Sequence, residues 1–77
     1  MKTQHHRQYK KLLELLRQVR LDSGLTQVEV AKTLGKHAPY ISKIESGERR
    51  VDVLELEELC QCYGVSLCKF LKSADFS

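Results

Sequence analysis

The stretch at residues 24–50, GLTQVEVAKTLGKHAPYISKIESGERR, constrains the chain most, because its punctuation leaves room for two short helices and a tight corner between them. Thr26 is a hydroxyl residue just ahead of an amphipathic run, and Glu29 lies three positions on, the capping-box spacing of a helix start. The run carries apolar Val28, Val30, Ala31 and Leu34 and meets Gly35, the residue type that most easily turns left-handed at a helix end. A second helix then has to start almost at once. Pro39 fits only in a first turn, where its missing N–H removes a donor that had no intrahelical partner, so the start falls near His37 or Ala38. Tyr40, Ile41 and Ile44 follow at turn spacing, and Gly47 supplies the next stop. Two helices of roughly two to three turns with a corner of about three to four residues match the helix-turn-helix pattern.

The flanking residues read as its support. Over residues 9–21, Tyr9, Leu12, Leu13, Leu16 and Val19 recur at helical spacing, and Leu15 widens the stripe. Lys10, Lys11, Glu14, Arg17 and Gln18 fill the other face, and Asp22, Ser23 and Gly24 end the run with turn chemistry. After a polar connector at residues 48–52, Asp52 can cap a fourth helix over 53–63, whose apolar face is Val53, Leu54, Leu56, Leu59, Cys60 and Tyr63. Gly64 closes it, and Ser66 caps a short fifth helix carrying Leu67, Cys68, Phe70 and Leu71. The expectation is an all-α, compact five-helix bundle over residues 9–72. It is flanked by a flexible basic arm at 1–8 and a tail that frays from Lys72 and spans 73–77. The arm holds Lys2, His5, His6 and Arg7 and reads either as a solvated terminus or as a segment touching DNA phosphate or a minor groove.

A chain of 77 residues makes one domain and buries only about 60 to 65% of its unfolded surface, so self-association is an expected source of stability. No long apolar run suggests a membrane span, and residues 1–10 lack an apolar signal core, which places the chain in the cytoplasm as an expectation. The formal charge of +3 does not by itself identify a nucleic-acid binder; where the cations lie matters more. Cys60, Cys62 and Cys68 are an odd number without a secretion signal, so free thiols are expected. Cys60 and Cys62 point about 200° apart on a helix and are poorly placed to share a metal ion; small packing residues is the reading preferred. No cofactor or metal is expected.

These residues resemble a known family. The run GLTQxxxAxxLG, then YISKIESGERR, then VDVLELEELCQCYGVS looks like the Xre, Cro and phage-repressor helix-turn-helix family, and the likeness covers about residues 12–71. The resemblance implies a lambda repressor-like bundle that binds double-stranded DNA. It implies that Thr26 and Gln27 open the second helix against a backbone phosphate, a placement that also suits the helix macrodipole. The third helix, about residues 38–46, resembles the recognition helix that lies in the major groove. Its exposed candidates for base contacts are Lys43, Tyr40, Ser42, Ala38 and Pro39, with Tyr40 also readable as a packing residue. Here the chain departs from many relatives, because Ala38 and Pro39 cannot make bidentate base contacts where Gln, Arg or Ser often stand. By the same resemblance, Arg20 and Glu45 form a structural ion pair. Gly47, Arg49 and Arg50 lie along the sugar-phosphate backbone, and Leu67, Phe70 and Leu71 form a dimer interface.

The function expected is a small sequence-specific DNA-binding transcriptional regulator, a repressor by preference, acting as a homodimer on a two-fold related operator. An antitoxin with a toxin partner is the alternative within DNA binding, and a protein-interaction module without DNA is the alternative outside it. An enzyme is not expected, since no nucleophile, base and orienting group converge at a recognisable spacing.

Overall fold

The computed structural model describes residues 2–74, with side chains from His6 onward. Five helices follow in order: α1 Lys2–Asp22, α2 Gln27–Thr33, α3 Pro39–Ser46, α4 Val53–Tyr63 and α5 Leu67–Ser73. The all-α five-helix expectation is met, and α2 and α3 pack on each other as the helix-turn-helix, with α3 set against α1. Among the described residues, no helix is long and apolar enough to cross a membrane.

Most of the helices are too short to persist alone, since isolated helices under about 12 residues are marginal in water. Their ends are accordingly well satisfied. Thr26 accepts from the Glu29 amide while the Glu29 carboxylate accepts from the Thr26 amide, and Asp52 and Glu55 form the same reciprocal box on α4. Ser66 accepts from the Lys69 amide at the start of α5. Helix α3 differs: Ala38 offers no capping side chain, and Pro39 in the first turn removes a donor instead. Gly47 ends α3 at φ +85°, a conformation that strains any residue with a Cβ, and a Cβ there would lie 3.5 Å from Leu13 Cδ1.

One core serves all five helices. Leu12, Leu13 and Leu16 of α1 meet Val30 and Ala31 of α2, Ile41 and Ile44 of α3, and Leu56, Leu59, Cys60 and Tyr63 of α4. Phe70 and Ala74 close it from the C-terminal end. Burying a side chain of the Leu, Ile or Phe class contributes about 1.5–3 kcal/mol, so the helix-turn-helix owes its geometry to α1, α4 and α5. Cys60 lies in this core, and burial pushes its thiol up to about 11, as suits a small packing residue.

Several sequence expectations need correction. Helix α1 begins at Lys2, seven residues before Tyr9, so the described part of the supposed arm is helical. Lys, Gln and Arg are good helix formers, but residues 2–8 carry no apolar stripe that would reveal a helix in the sequence. The His5 side chain lies outside the described residues. At the other end, α5 runs through Ser73, and Ala74 is fully buried with its amide bonded to the Phe70 and Leu71 carbonyls; residues 75–77 of the expected tail lie outside the described residues. Val28, Val53 and Leu54 were expected on apolar faces and are exposed, because α2 reaches the core through Val30 and Ala31 and α4 through Leu56, Leu59, Cys60 and Tyr63. Phe70, expected at a dimer interface, is 3% exposed and belongs to the core of the single chain.

Ile44 has no exposed surface and joins α3 to this core. Ile44→Ala is expected to cost about 2–5 kcal/mol by lost burial and residual cavity. Urea denaturation followed by circular dichroism measures it, and a loss below about 1 kcal/mol would contradict the packing described.

Candidate nucleic-acid interface

The orientation of α3 is set by a buried polar cluster. Arg20, near the end of α1, donates through Nε to Glu45 Oε2 at 2.7 Å and through Nη2 to Glu45 Oε1 at 3.2 Å. The two side chains are 7% and 4% exposed. The remaining arm of the guanidinium, Nη1, donates to the Leu25 carbonyl at 2.8 Å and so holds the α1–α2 turn. Gln27 Nε2 adds a bond to Glu45 Oε1 at 2.9 Å from the first turn of α2. Three helices therefore converge on one carboxylate. Its hydrogen bond to Arg20 raises the guanidinium pKa further, against the opposing effect of burial. The nearby Tyr63 phenol is pushed far above its ordinary value, first by burial and then by the Glu45 charge.

The expected pairing of Arg20 with Glu45 is thus in place, and Gln27 is drawn into it. The Gln27 amide group has two hydrogens, so one remains for a phosphate while the other holds Glu45. Thr26 is exposed, and its oxygen already caps α2.

On α3, Ile41 and Ile44 face inward, while Ala38, Pro39 and Lys43 are exposed. Tyr40 does not stand among the exposed residues: it is 8% exposed and packs in the core. Its ring carries the Lys36 ammonium at 5.4 Å and the Arg49 guanidinium at 4.9 Å. Burial, then the Glu55 charge, raises its phenol pKa, and the hydroxyl makes no hydrogen bond of normal geometry. Tyr40 thus supports cations instead of projecting from the helix. Ser42 is half-buried and donates its hydroxyl to the Pro39 carbonyl at 3.0 Å, which leaves it acceptor capacity only. Lys36 and His37, both exposed at the corner before α3, were not singled out from the sequence, although polar residues flanking a helix start were the available signal.

In the α3–α4 loop the two arginines separate. Arg49 makes a two-point contact with Glu55, Nη1 to Oε1 at 3.1 Å and Nη2 to Oε2 at 2.8 Å, and also donates to the Arg50 carbonyl. Arg50 lies over the Tyr9 ring at 5.1 Å, and the Tyr9 hydroxyl accepts from the Val51 amide at 3.2 Å. The amides of Gly47, Glu48 and Arg49 are already bonded to the Ile44 carbonyl, the Ser46 hydroxyl and the Lys43 carbonyl respectively. Gly47 therefore offers close approach by its missing side chain and not by an unused N–H. Among the described residues, Lys43 and Arg50 have no carboxylate partner. On α5, Leu67 and Leu71 are half-buried.

With this geometry in view, residues 16–70 match the HTH_3 family, described as Helix-turn-helix. The chain belongs to the Xre-like helix-turn-helix family. A solved XRE-family like protein from Pseudomonas syringae pv. tomato superposes with a TM-score of 0.92 at 38% identity, covering 96% of this chain and 90% of that one. An uncharacterized HTH-type transcriptional regulator, y4dJ, of Sinorhizobium fredii is 39% identical over 74% of each chain. The HTH-type transcriptional regulator DdrOP3 of Deinococcus deserti is 30% identical over 86% of this chain and 51% of its own length. This Xre-like chain is accordingly a DNA-binding transcriptional regulator of the helix-turn-helix type.

The Arg49 contact holds the Glu55 carboxyl down at about 2, well below the usual 4.5. A carboxyl depressed by folding stabilises the native state above its unfolded pKa and loses that contribution as pH falls toward the folded value. Glu55→Gln keeps the capping box but removes the charge. The expected result is that wild-type stability falls more steeply than that of the variant between about pH 5 and pH 2. Urea midpoints across that range test this, and parallel curves would show that the pair is fully screened.

Proposed function

We propose that this Xre-like protein is a repressor that binds double-stranded DNA as a homodimer, with α3 in the major groove of each half of a two-fold related operator. The observation that carries the reading is the exposed face of α3. It presents Lys43, without a carboxylate partner among the described residues, on a helix held by the Arg20–Glu45 pair. Half-sites would lie about 34–36 Å apart.

Lys43 is the principal base reader. An ammonium donates only, so its targets are acceptors such as guanine O6 and N7 or thymine O4. Ser42, with its proton committed to Pro39, can accept from adenine N6 or cytosine N4. Ala38 and Pro39 offer apolar contact to a thymine methyl. Tyr40 acts from beneath by holding Lys36 and Arg49. Thr26, Gln27 and Arg50 engage phosphates, with Gly47 allowing close approach, while Arg49 contributes by fixing the loop. Leu67 and Leu71 form the dimer contact, backed by the buried Phe70.

Selection of bound sites from random DNA is expected to enrich an inverted repeat. Lys43→Ala should then cost about 1–3 kcal/mol on the selected site and relax preference at one position per half-site. An equal loss on random duplex would assign Lys43 to phosphate instead. Replacing Leu71 with Glu is expected to shift sedimentation toward monomer, and an unchanged sedimentation coefficient would move the interface away from α5.

A further inference from the structure

A cleft opens between the first half of α1 and the α3–α4 loop, and of its lining only Arg50 and Gly47 have a part in the roles proposed above. It encloses about 360 Å³ and is lined by His6, Tyr9 and Lys10 on one side and Ser46, Gly47 and Arg50 on the other. Its volume is in the range of small-molecule pockets, so it has room for more than a lone ion. No carboxylate lines it, and Lys10 and Arg50 have no carboxylate partner among the described residues.

The donors are arranged as well as concentrated. Arg50 lies against the Tyr9 ring at 5.1 Å, which supports one face of the guanidinium and leaves its in-plane N–H groups available. The Tyr9 oxygen accepts from the Val51 amide, so the ring is anchored and its own proton is available to donate. His6 supplies a ring N–H in either charge state. Lys10 adds a full positive charge on the next turn of the helix. Ser46, by contrast, is committed to the Lys43 carbonyl and the Glu48 amide. Gly47 adds no side chain to the cleft, and a Cβ there would meet Leu13 Cδ1 at 3.5 Å. A planar guanidinium beside an ammonium and a phenol hydroxyl suits the oxygens of a phosphodiester.

We propose that this cleft holds a phosphodiester of the DNA backbone flanking the stretch read by α3, so that the early turns of α1 act as a second backbone contact of the protein. The inference rests on the DNA-binding reading, and it assigns to Tyr9, Lys10 and His6 a role that the helix-turn-helix itself does not require.

The test uses the full 77-residue chain on a random-sequence duplex and on the selected site. Lys10→Gln is the main variant, since Gln has similar helix propensity and position 10 is exposed. Lys69→Gln on α5, away from the cleft, is the control. Loss of one phosphate contact is expected to lower the slope of log K against log salt by about 0.9 on both duplexes, while the control keeps the wild-type slope. On the selected site, phosphate ethylation interference is expected to identify a flanking phosphate whose modification weakens the wild type and no longer affects Lys10→Gln. A wild-type slope and an unchanged interference pattern in Lys10→Gln would overturn the cleft assignment and leave the DNA reading standing. Absence of wild-type binding to either duplex at low salt would overturn both.

Discussion

The position of α3 depends on one carboxylate. Glu45 receives Arg20 from α1 and Gln27 from α2, and Arg20 extends the same cluster to the Leu25 carbonyl in the turn between them. A buried pair of this kind adds little net stability over a well-packed apolar alternative, because desolvation offsets most of the attraction. Removing one member is another matter, since it leaves a charge buried without a partner. The directional bonds favour one register of α2 and α3 against α1. Apolar contacts alone would tolerate a range of helix rotations, and a rotation of α3 would displace Lys43 first.

A second set of charges fixes the loop that follows. Arg49 is held by Glu55 and by the face of Tyr40, and Glu55 also caps α4 by accepting from the Asp52 amide. The end of α3, the loop and the start of α4 are thereby one unit. The two adjacent arginines divide the work: Arg49 makes the loop rigid, while Arg50, resting on Tyr9, keeps donors free on the outside. Charge density alone would have counted them as equivalent, yet their partners differ completely.

Much of this was legible in the residues and some of it was not. The helices could be located because their ends carry local chemistry: Thr26 with Glu29, Asp52 with Glu55, Pro39, Gly47 and Gly64 all act within a turn of where they stand. Arg20 with Glu45 was reached only through the family resemblance, since residues 25 positions apart leave no local trace. The bond from Gln27 to Glu45 and the stacking of Arg49 on Tyr40 were missed for the same reason. The burial of Tyr40 was within reach, because its i, i+4 relation to the buried Ile44 puts both on one face. The first two turns of α1 were hidden because residues 2–8 carry no apolar stripe.

The scarcity of side-chain donors on the exposed face of α3 follows from the same arrangement. Ala38 and Pro39 have no side-chain hydrogen bond to give, Ser42 has committed its proton, and Tyr40 has turned inward, which leaves Lys43 as the exposed donor of α3 among the described residues. A single lysine discriminates less than a bidentate arginine or glutamine would. In the proposed complex, discrimination would then lean on how well a given sequence brings its phosphates to Gln27, Arg50 and the α1 cleft at once. That makes the backbone contacts sensitive to groove width and bending and not only to charge. A helix-turn-helix poor in base readers but framed by rigid phosphate contacts would therefore select DNA largely by shape, with Lys43 fixing the register.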